Sequence, residues 1–182
     1  MRKILVVVGS GLRNANTDRL ADAFVRGAQD AGHEVKKFFL DNDNLHGCRG
    51  CGACQITRKG CVIRDVMQEI YPVYEWCDTV VMASPLYFWT LSAQIKAFMD
   101  RLYAISVEDR YPHKDAALLM TADCDFDGTF KHAQDYFVFI TEALGSKVLG
   151  SYCAGGCSGE PGKHEISQKH LDGAYEFGKN LK

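Results

Sequence analysis

Ile4 to Val8 is an unbroken run of five branched apolar residues, and it limits the fold more than any other stretch of the chain. A strand with one wet face alternates polar and apolar residues. A run this uniform has to be covered on both faces, as in a parallel sheet sandwiched between helices. Val35 to Leu40, Thr79 to Ala83, Ala116 to Met120 and Lys147 to Ala154 read as further short strands. Stretches of helical period follow them. Leu20, Ala21, Phe24, Val25 and Ala28 form one stripe, closed by Gly32; Leu91, Ile95, Phe98, Met99 and Leu102 form another. Phe130, Ala133, Phe137, Ile140 and Leu144 stripe a third helix, and Ile166, His170, Ala174, Phe177 and Leu181 a last one. Between the second and third strands Val66, Met67, Ile70 and Val73 are helix-spaced, but Pro72 removes a backbone donor there. Ser84-Pro85 is expected to end the third strand, because proline has no N–H to pair.

Five βα units in succession with right-handed crossovers give an α/β protein, a doubly wound parallel sheet with helices on both faces. Residues 1–182 are expected to form one domain, with a cysteine-rich loop at 41–61. Ligands in such sheets gather at the carboxyl ends of the strands. Function is therefore expected in the loops 9–17, 41–61, 84–91 and 121–128. Hydrophobic residues make up 47% of the chain, ample for a packed core. Twenty-one Lys and Arg against 23 Asp and Glu leave a net charge of -2, so no global field draws in nucleic acid or an anionic membrane. No apolar run approaches the roughly 18 residues of a spanning helix. Neither a leader nor an anchor is readable after Met1-Arg2-Lys3, and the expected compartment is the cytoplasm.

The first loop reads Gly9-Ser10-Gly11-Leu12-Arg13-Asn14-Ala15-Asn16-Thr17. Small and hydroxyl residues leading into a helix leave its first N–H groups free to grip an anion. Ser10 and Thr17 add hydroxyls, Asn16 an amide and Arg13 a fork-shaped cation. The plainer alternative is a tight turn capped by Asn16 or Thr17. A P-loop is excluded, since no Gly-Lys-Ser/Thr follows. A dinucleotide fingerprint lacks its third glycine, where Asn14 stands, although Asp41 occupies the place of the ribose-binding acid. A mononucleotide phosphate fits better.

The third loop, Ser84-Pro85-Leu86-Tyr87-Phe88-Trp89-Thr90-Leu91-Ser92, carries three aromatics in a row. At a strand end they can stack on a planar ring whose polar rim meets the amides around Leu86 to Trp89, or they can plug the sheet or meet another subunit. A phosphate plus a flat heterocycle describes FMN.

Cys48, Cys51, Cys54 and Cys61 fall within 14 residues, interleaved with Gly47, Gly50, Gly52 and Gly60. In a reducing compartment such a cluster holds a metal or does redox chemistry more readily than it forms a disulfide framework. Four thiolates match the ligand count of a [4Fe–4S] cluster. Zinc, usually held by two spaced pairs, and four unliganded thiols stay open as alternatives. Asp123, Asp125 and Asp127 lack the glycine and terminal Glu of a calcium loop and read as solvated acids.

Taken with Ser92-Ala93-Gln94-Ile95-Lys96-Ala97-Phe98-Met99-Asp100-Arg101, these segments resemble the flavodoxin-like NAD(P)H-dependent FMN reductases. With the cysteines included, the chain resembles their iron–sulfur flavoprotein branch, whose compact cysteine motif has a variable last gap. The resemblance implies a three-layer α/β/α sandwich with a five-stranded parallel sheet in the order 2-1-3-4-5. It implies FMN phosphate contacts from Ser10, Leu12, Arg13, Asn16 and Thr17. It also implies ring contacts from Pro85, Leu86, Tyr87, Phe88 and Trp89, with Thr121 and Ala122 beside them. The family often has a small residue where Trp89 stands, so the indole is expected to narrow access to the flavin. Cys48, Cys51, Cys54 and Cys61 are the implied cluster ligands. The expected activity passes a hydride from NADH or NADPH to FMN, and electrons onward to a small-molecule or protein acceptor, with no side-chain acid or base required. The alternatives are a non-enzymatic electron carrier and a plain NAD(P)H:FMN or quinone reductase without a cluster. A homodimer or homotetramer is the expected assembly.

Overall fold

The computed structural model describes residues 1–41, 43–106, 108, 111–158 and 162–182. Five strands form the sheet: β1 (Lys3–Val8), β2 (Glu34–Phe39), β3 (Thr79–Pro85), β4 (Asp115–Thr121) and β5 (Val148–Ala154). All neighbouring pairs are parallel and the order is β2-β1-β3-β4-β5. Around it lie α1 (Asn16–Asp30), α2 (Ala53–Thr57), α3 (Met67–Trp76), α4 (Ala93–Arg101), α5 (Lys131–Ala143) and α6 (Gln168–Lys179), with a 3-10 turn at Leu102–Ile105. The flavodoxin-like topology expected of the chain is the one observed.

The uniform apolar runs divide by parity, as strands covered on both faces must. Ile4, Val6, Val8, Val81, Ala83, Ala117 and Leu119 meet α1 and α6. Leu5, Val7, Val80, Met82, Leu118 and Met120 meet α3, α4 and α5 on the other face. The helix with Pro72 forms and runs through the proline. On the first face α1 and α6 approach closely. A Cβ at Gly27 would lie 1.9 Å from the Tyr175 carbonyl, and one at Gly178 would lie 2.2 Å from that of Phe24.

One expectation fails at Pro85. The third strand does not stop at Ala83 but pairs Ser84 with Met120 and Pro85 with Thr121. Successive residues of a strand face opposite neighbours. The Ala83 carbonyl accepts from Gly9 on the β1 side, and the Leu86 N–H donates to Thr121 on the β4 side at 2.8 Å. The missing N–H of Pro85 therefore faces the β1 side, where β1 has already ended at Val8, and the proline costs no ladder bond.

Candidate functional site

At the carboxyl ends of β1, β3 and β4 lies a cleft of about 270 Å³, lined by Ser10, Gly11, Leu12, Ala15, Asn16, Thr17, Pro85, Leu86, Tyr87, Thr121, Ala122, Asp123, Cys157, Ser158 and His164. It is the place the topology reserves for a ligand. A larger groove of about 360 Å³ between α4 and α5 borders Val80 and Ala116, near the opposite ends of their strands, and contains none of the loop motifs.

The first loop enters the cleft because Gly9 passes close beneath α4: a Cβ there would lie 2.5 Å from Ile95 Cγ1 and 2.6 Å from Ser92 Oγ. Asn14 turns the chain at φ 59°, and its N–H donates to Asp18 Oδ2 at 2.8 Å. Asp18 is in turn neutralised by Lys37 Nζ at 2.5 Å. Ala15 sits at the N-cap of α1 with no side-chain hydrogen bond, whereas Ser92 and Ser167 cap α4 and α6. Among the described residues no side chain caps the opening N–H groups of α1, and the positive end of the helix dipole lies behind them. Asn16 and Thr17 are therefore not caps.

Ser10 Oγ donates to the Leu12 carbonyl at 3.2 Å and accepts from the Leu12 N–H at 3.3 Å, which shapes the turn. Thr17 Oγ1 is 2.6 Å from Thr121 Oγ1, joining α1 to the end of β4. Asn16 Nδ2 donates to the Ser158 carbonyl at 3.2 Å, while its Oδ1 is buried with no donor among the described residues. That oxygen is an acceptor set for a ligand hydroxyl.

Arg13 does not line the cleft. Its guanidinium lies 4.3 Å over the Phe39 ring and 3.7 Å from Asp41 Oδ2. Asp41 also accepts from the N–H groups of Asp43 and Asn44, so this carboxylate organises its own loop.

The aromatic loop divides. Pro85, Leu86 and Tyr87 line the cleft; Phe88 and Trp89 do not, and Phe88 is 94% exposed. Tyr87 and Thr90 exchange N–H···O bonds of 3.1 Å, closing a tight turn. The amides of Leu86 and Tyr87 are thereby committed to backbone carbonyls and do not serve a ring's rim, contrary to expectation.

Sequence reasoning missed Gly11, Ala15, Asp123, Ser158 and His164 as cleft residues, and left Cys157 unassigned. Cys157 is signalled only by its place just after β5. It is buried, and burial pushes its thiol up to about 11.

The cysteine loop forms a second, separate cavity of about 140 Å³. It is lined by Cys48, Cys51, Cys54 and Cys61 together with Asp100, Arg101, Tyr103 and Ala104. The two cavities share none of the described residues. The loop leaves the end of β2 but packs against the far end of α4, about one helix length, roughly 13–14 Å, from the cleft-side start of that helix. Gly50, Gly52 and Gly60 adopt positive φ within it, the wrapping expected of these glycines. Among the described residues no three His, Cys, Asp or Glu side chains are grouped to hold a single metal ion. The four cysteines all line the one cavity.

A family model described as NADPH-dependent FMN reductase matches residues 2–158. The chain belongs to this family. Over 100 residues it is 34% identical to an iron-sulfur flavoprotein of Archaeoglobus fulgidus, covering 55% of this chain and 45% of that protein. It is 34% identical over 99 residues to the iron-sulfur flavoprotein of Methanosarcina thermophila, covering 54% of this chain and 51% of that one. The chain thus spans about half the length of the curated relatives it matches. In fold it is similar to an NAD(P)H:quinone oxidoreductase from Methanothermobacter marburgensis, with a TM-score of 0.76 at 18% identity over 98% of this chain and 95% of that one. An FMN-dependent NADH-azoreductase from Bacillus anthracis, solved with FMN, has a TM-score of 0.68 at 12% identity, covering 98% and 96% of the two chains. The family is one of oxidoreductases. Among the described residues no helix is long and apolar enough to cross a membrane.

Proposed function

We propose that this chain binds FMN in the cleft at the ends of β1, β3 and β4 and acts as an NAD(P)H-dependent oxidoreductase. One observation carries the reading: the uncapped start of α1 opens, with Ser10, Asn16 and Thr17, into the same cleft as Pro85 to Tyr87 and Thr121-Ala122. The phosphate takes the α1 N–H groups and the hydroxyl of Thr17, and that of Ser10 once its proton turns from the Leu12 carbonyl. A hydroxyl of the ribityl chain satisfies Asn16 Oδ1, and the ring lies against Pro85, Leu86 and Tyr87. Leu12 bounds the phosphate end. Arg13, held against Phe39 and Asp41, acts on the phosphate only through its field, and Phe88 and Trp89 form the outer rim that limits what reaches the ring.

When bound, FMN supplies the redox chemistry, taking a hydride from NADH or NADPH and passing electrons on. The net reaction with a quinone consumes the reduced nicotinamide, the quinone and one proton, and yields oxidised nicotinamide and hydroquinone. The chain's part is to hold and orient the reactants, and no side chain needs to move a proton.

Cys48, Cys51, Cys54 and Cys61 are proposed to hold a [4Fe–4S] cluster. The four cysteines line one cavity, and their number matches the ligand count of such a cluster. The named similarity to iron-sulfur flavoproteins supports the same reading. The whole is read as one flavodoxin-like domain of a cytoplasmic homo-oligomer. The exposed Phe88, Trp89 and Ile56 offer apolar surface to a second copy or a protein acceptor.

The experiment is anaerobic oxidation of NADH and of NADPH by the FMN-loaded protein with a quinone or dye acceptor. Turnover with either nucleotide supports the reductase, and no turnover with both would favour a non-enzymatic carrier. Iron and acid-labile sulfide in protein purified without oxygen support the cluster. Their absence after reconstitution would leave a plain FMN reductase.

A further inference from the structure

The last residue of α4, Arg101, is 1% exposed, although arginine is seldom fully buried. Its guanidinium is committed to the cysteine loop from both sides. Nη1 donates to the His46 carbonyl at 2.7 Å and to Asp65 Oδ2 at 2.7 Å. Nη2 donates to the Ile63 carbonyl at 3.2 Å and to Asp65 Oδ1 at 3.0 Å. His46 stands two residues before Cys48, and Ile63 two residues after Cys61. The same cation therefore touches the backbone just outside the first and the last cysteine.

Asp65 completes the closure. Its carboxylate accepts from the His46 N–H at 3.0 Å and from the Met67 N–H at 3.1 Å, tying the loop to the start of α3. Tyr71 Oη donates to the Arg101 carbonyl at 3.0 Å, so α3 also holds α4 where the clasp sits. Arg101 lines the cysteine cavity itself, and its Nε–H is buried with no acceptor among the described residues.

We propose that Arg101 and Asp65 form a clasp that closes the cysteine loop, with Arg101 the positioning residue that keeps Cys48 and Cys61 on one cavity. The inference rests on the reading of the four cysteines as cluster ligands, and it says how their geometry is set before any metal arrives. Four loop thiols free to separate would pay the closure entropy on binding; a clasped loop has paid it on folding. The planar fork is essential, because only arginine reaches a bidentate carboxylate and two carbonyls from one rigid group. A lysine keeps the charge and loses the geometry.

The test compares wild type, Arg101→Lys and the double variant Arg101→Met/Asp65→Asn, which buries no uncompensated charge and so guards against simple unfolding. Hydrogen exchange on the metal-free chains should show amides of residues 46–66 exchanging about tenfold faster or more in both variants, with the sheet unchanged. Reconstitution with ferrous iron and sulfide should show an apparent iron affinity weakened about tenfold or more, with one FMN per chain retained. Wild-type exchange over 46–66 together with wild-type iron uptake in folded variants would overturn the clasp. A wild-type chain that takes up no iron would refute the cluster reading alone, since exchange on the metal-free chains still decides the clasp.

Discussion

Thr17 Oγ1 and Thr121 Oγ1 lie 2.6 Å apart, both side chains nearly sealed from solvent, at the point where the start of α1 meets the end of β4. If Thr121 donates, the Thr17 hydroxyl keeps its own proton for a ligand, and the pair forms a short relay into the cleft. Thr17→Val preserves the shape and removes the hydroxyl. A hydrogen bond to a charged group is worth about 1.5–3 kcal/mol, so FMN affinity should fall about tenfold or more while the fold persists. Thr121→Val, one step removed, should cost less. An unchanged dissociation constant for Thr17→Val would place the phosphate elsewhere.

Phe88 and Trp89 occupy the two centre positions of the Tyr87–Thr90 turn at φ 48° and 60°. Asn or Gly normally fills such positions, because a Cβ there is strained. Phe88 is 94% exposed and loses no packing when truncated. Phe88→Gly should therefore raise the free energy of unfolding by roughly 0.5–1 kcal/mol, the relief of strain exceeding the added flexibility of the unfolded chain. Denaturant titration reads this directly. A loss of stability instead would mean that the ring packs on a neighbour, and gel filtration of both forms would show whether that neighbour is a second copy.

The sheet was legible because its strands are uniformly apolar and its helices are striped, and both patterns follow from burial. The extension of β3 through Pro85 was not, since it depends on which side of β3 its neighbour has already vacated. At the cleft, Ser10, Asn16, Thr17 and Thr121 announce themselves as polar residues next to strand ends. Arg13 does not reach the cleft because Phe39 and Asp41, on the neighbouring strand end, compete for its guanidinium. Ser158 and His164 come from beyond β5, too far in sequence from any motif to be read. The cysteines were visible as a group. Their attachment at the end of α4 runs through a buried arginine inside an otherwise ordinary helical stripe and through Gln55, whose amide donates to the Tyr103 and Ser106 carbonyls.

Burial pushes the thiols of Cys77, Cys153 and Cys157 up to about 11, whereas Cys48 and Cys51 are exposed. At pH 8 the buried thiols hold roughly a hundredfold less thiolate than an ordinary cysteine. Alkylation mapped by mass spectrometry on metal-free protein should label Cys48 and Cys51 first. Because Cys157 lines the cleft, FMN should slow its labelling further and leave Cys77 unaffected. Equal protection of both by FMN would point to global stabilisation rather than contact.

Burial by itself would raise the Asp65 carboxyl, but hydrogen bonds from Arg101, His46 and Met67 outweigh it and hold the group below its ordinary value. A carboxyl lowered on folding contributes stability that is present above its unfolded value of about 3.9 and is lost as pH falls through the folded one. Protection of residues 46–66 against exchange, corrected for intrinsic rates, should be flat between about pH 5 and 8 and should collapse below about pH 4. In the double variant Arg101→Met/Asp65→Asn, which buries no uncompensated charge, that acid step should be missing. A step of the same size in the variant would assign it to other carboxyls.

The central claim is that the start of α1 grips the phosphate of FMN. It is tested most directly by calorimetric titration of the flavin-free chain with FMN and, separately, with riboflavin, which differs only in lacking that phosphate. The account predicts one FMN per chain and riboflavin binding weaker by about a hundredfold or more, since several charge-assisted bonds of about 1.5–3 kcal/mol each are removed together. Equal affinity for the two flavins would contradict it.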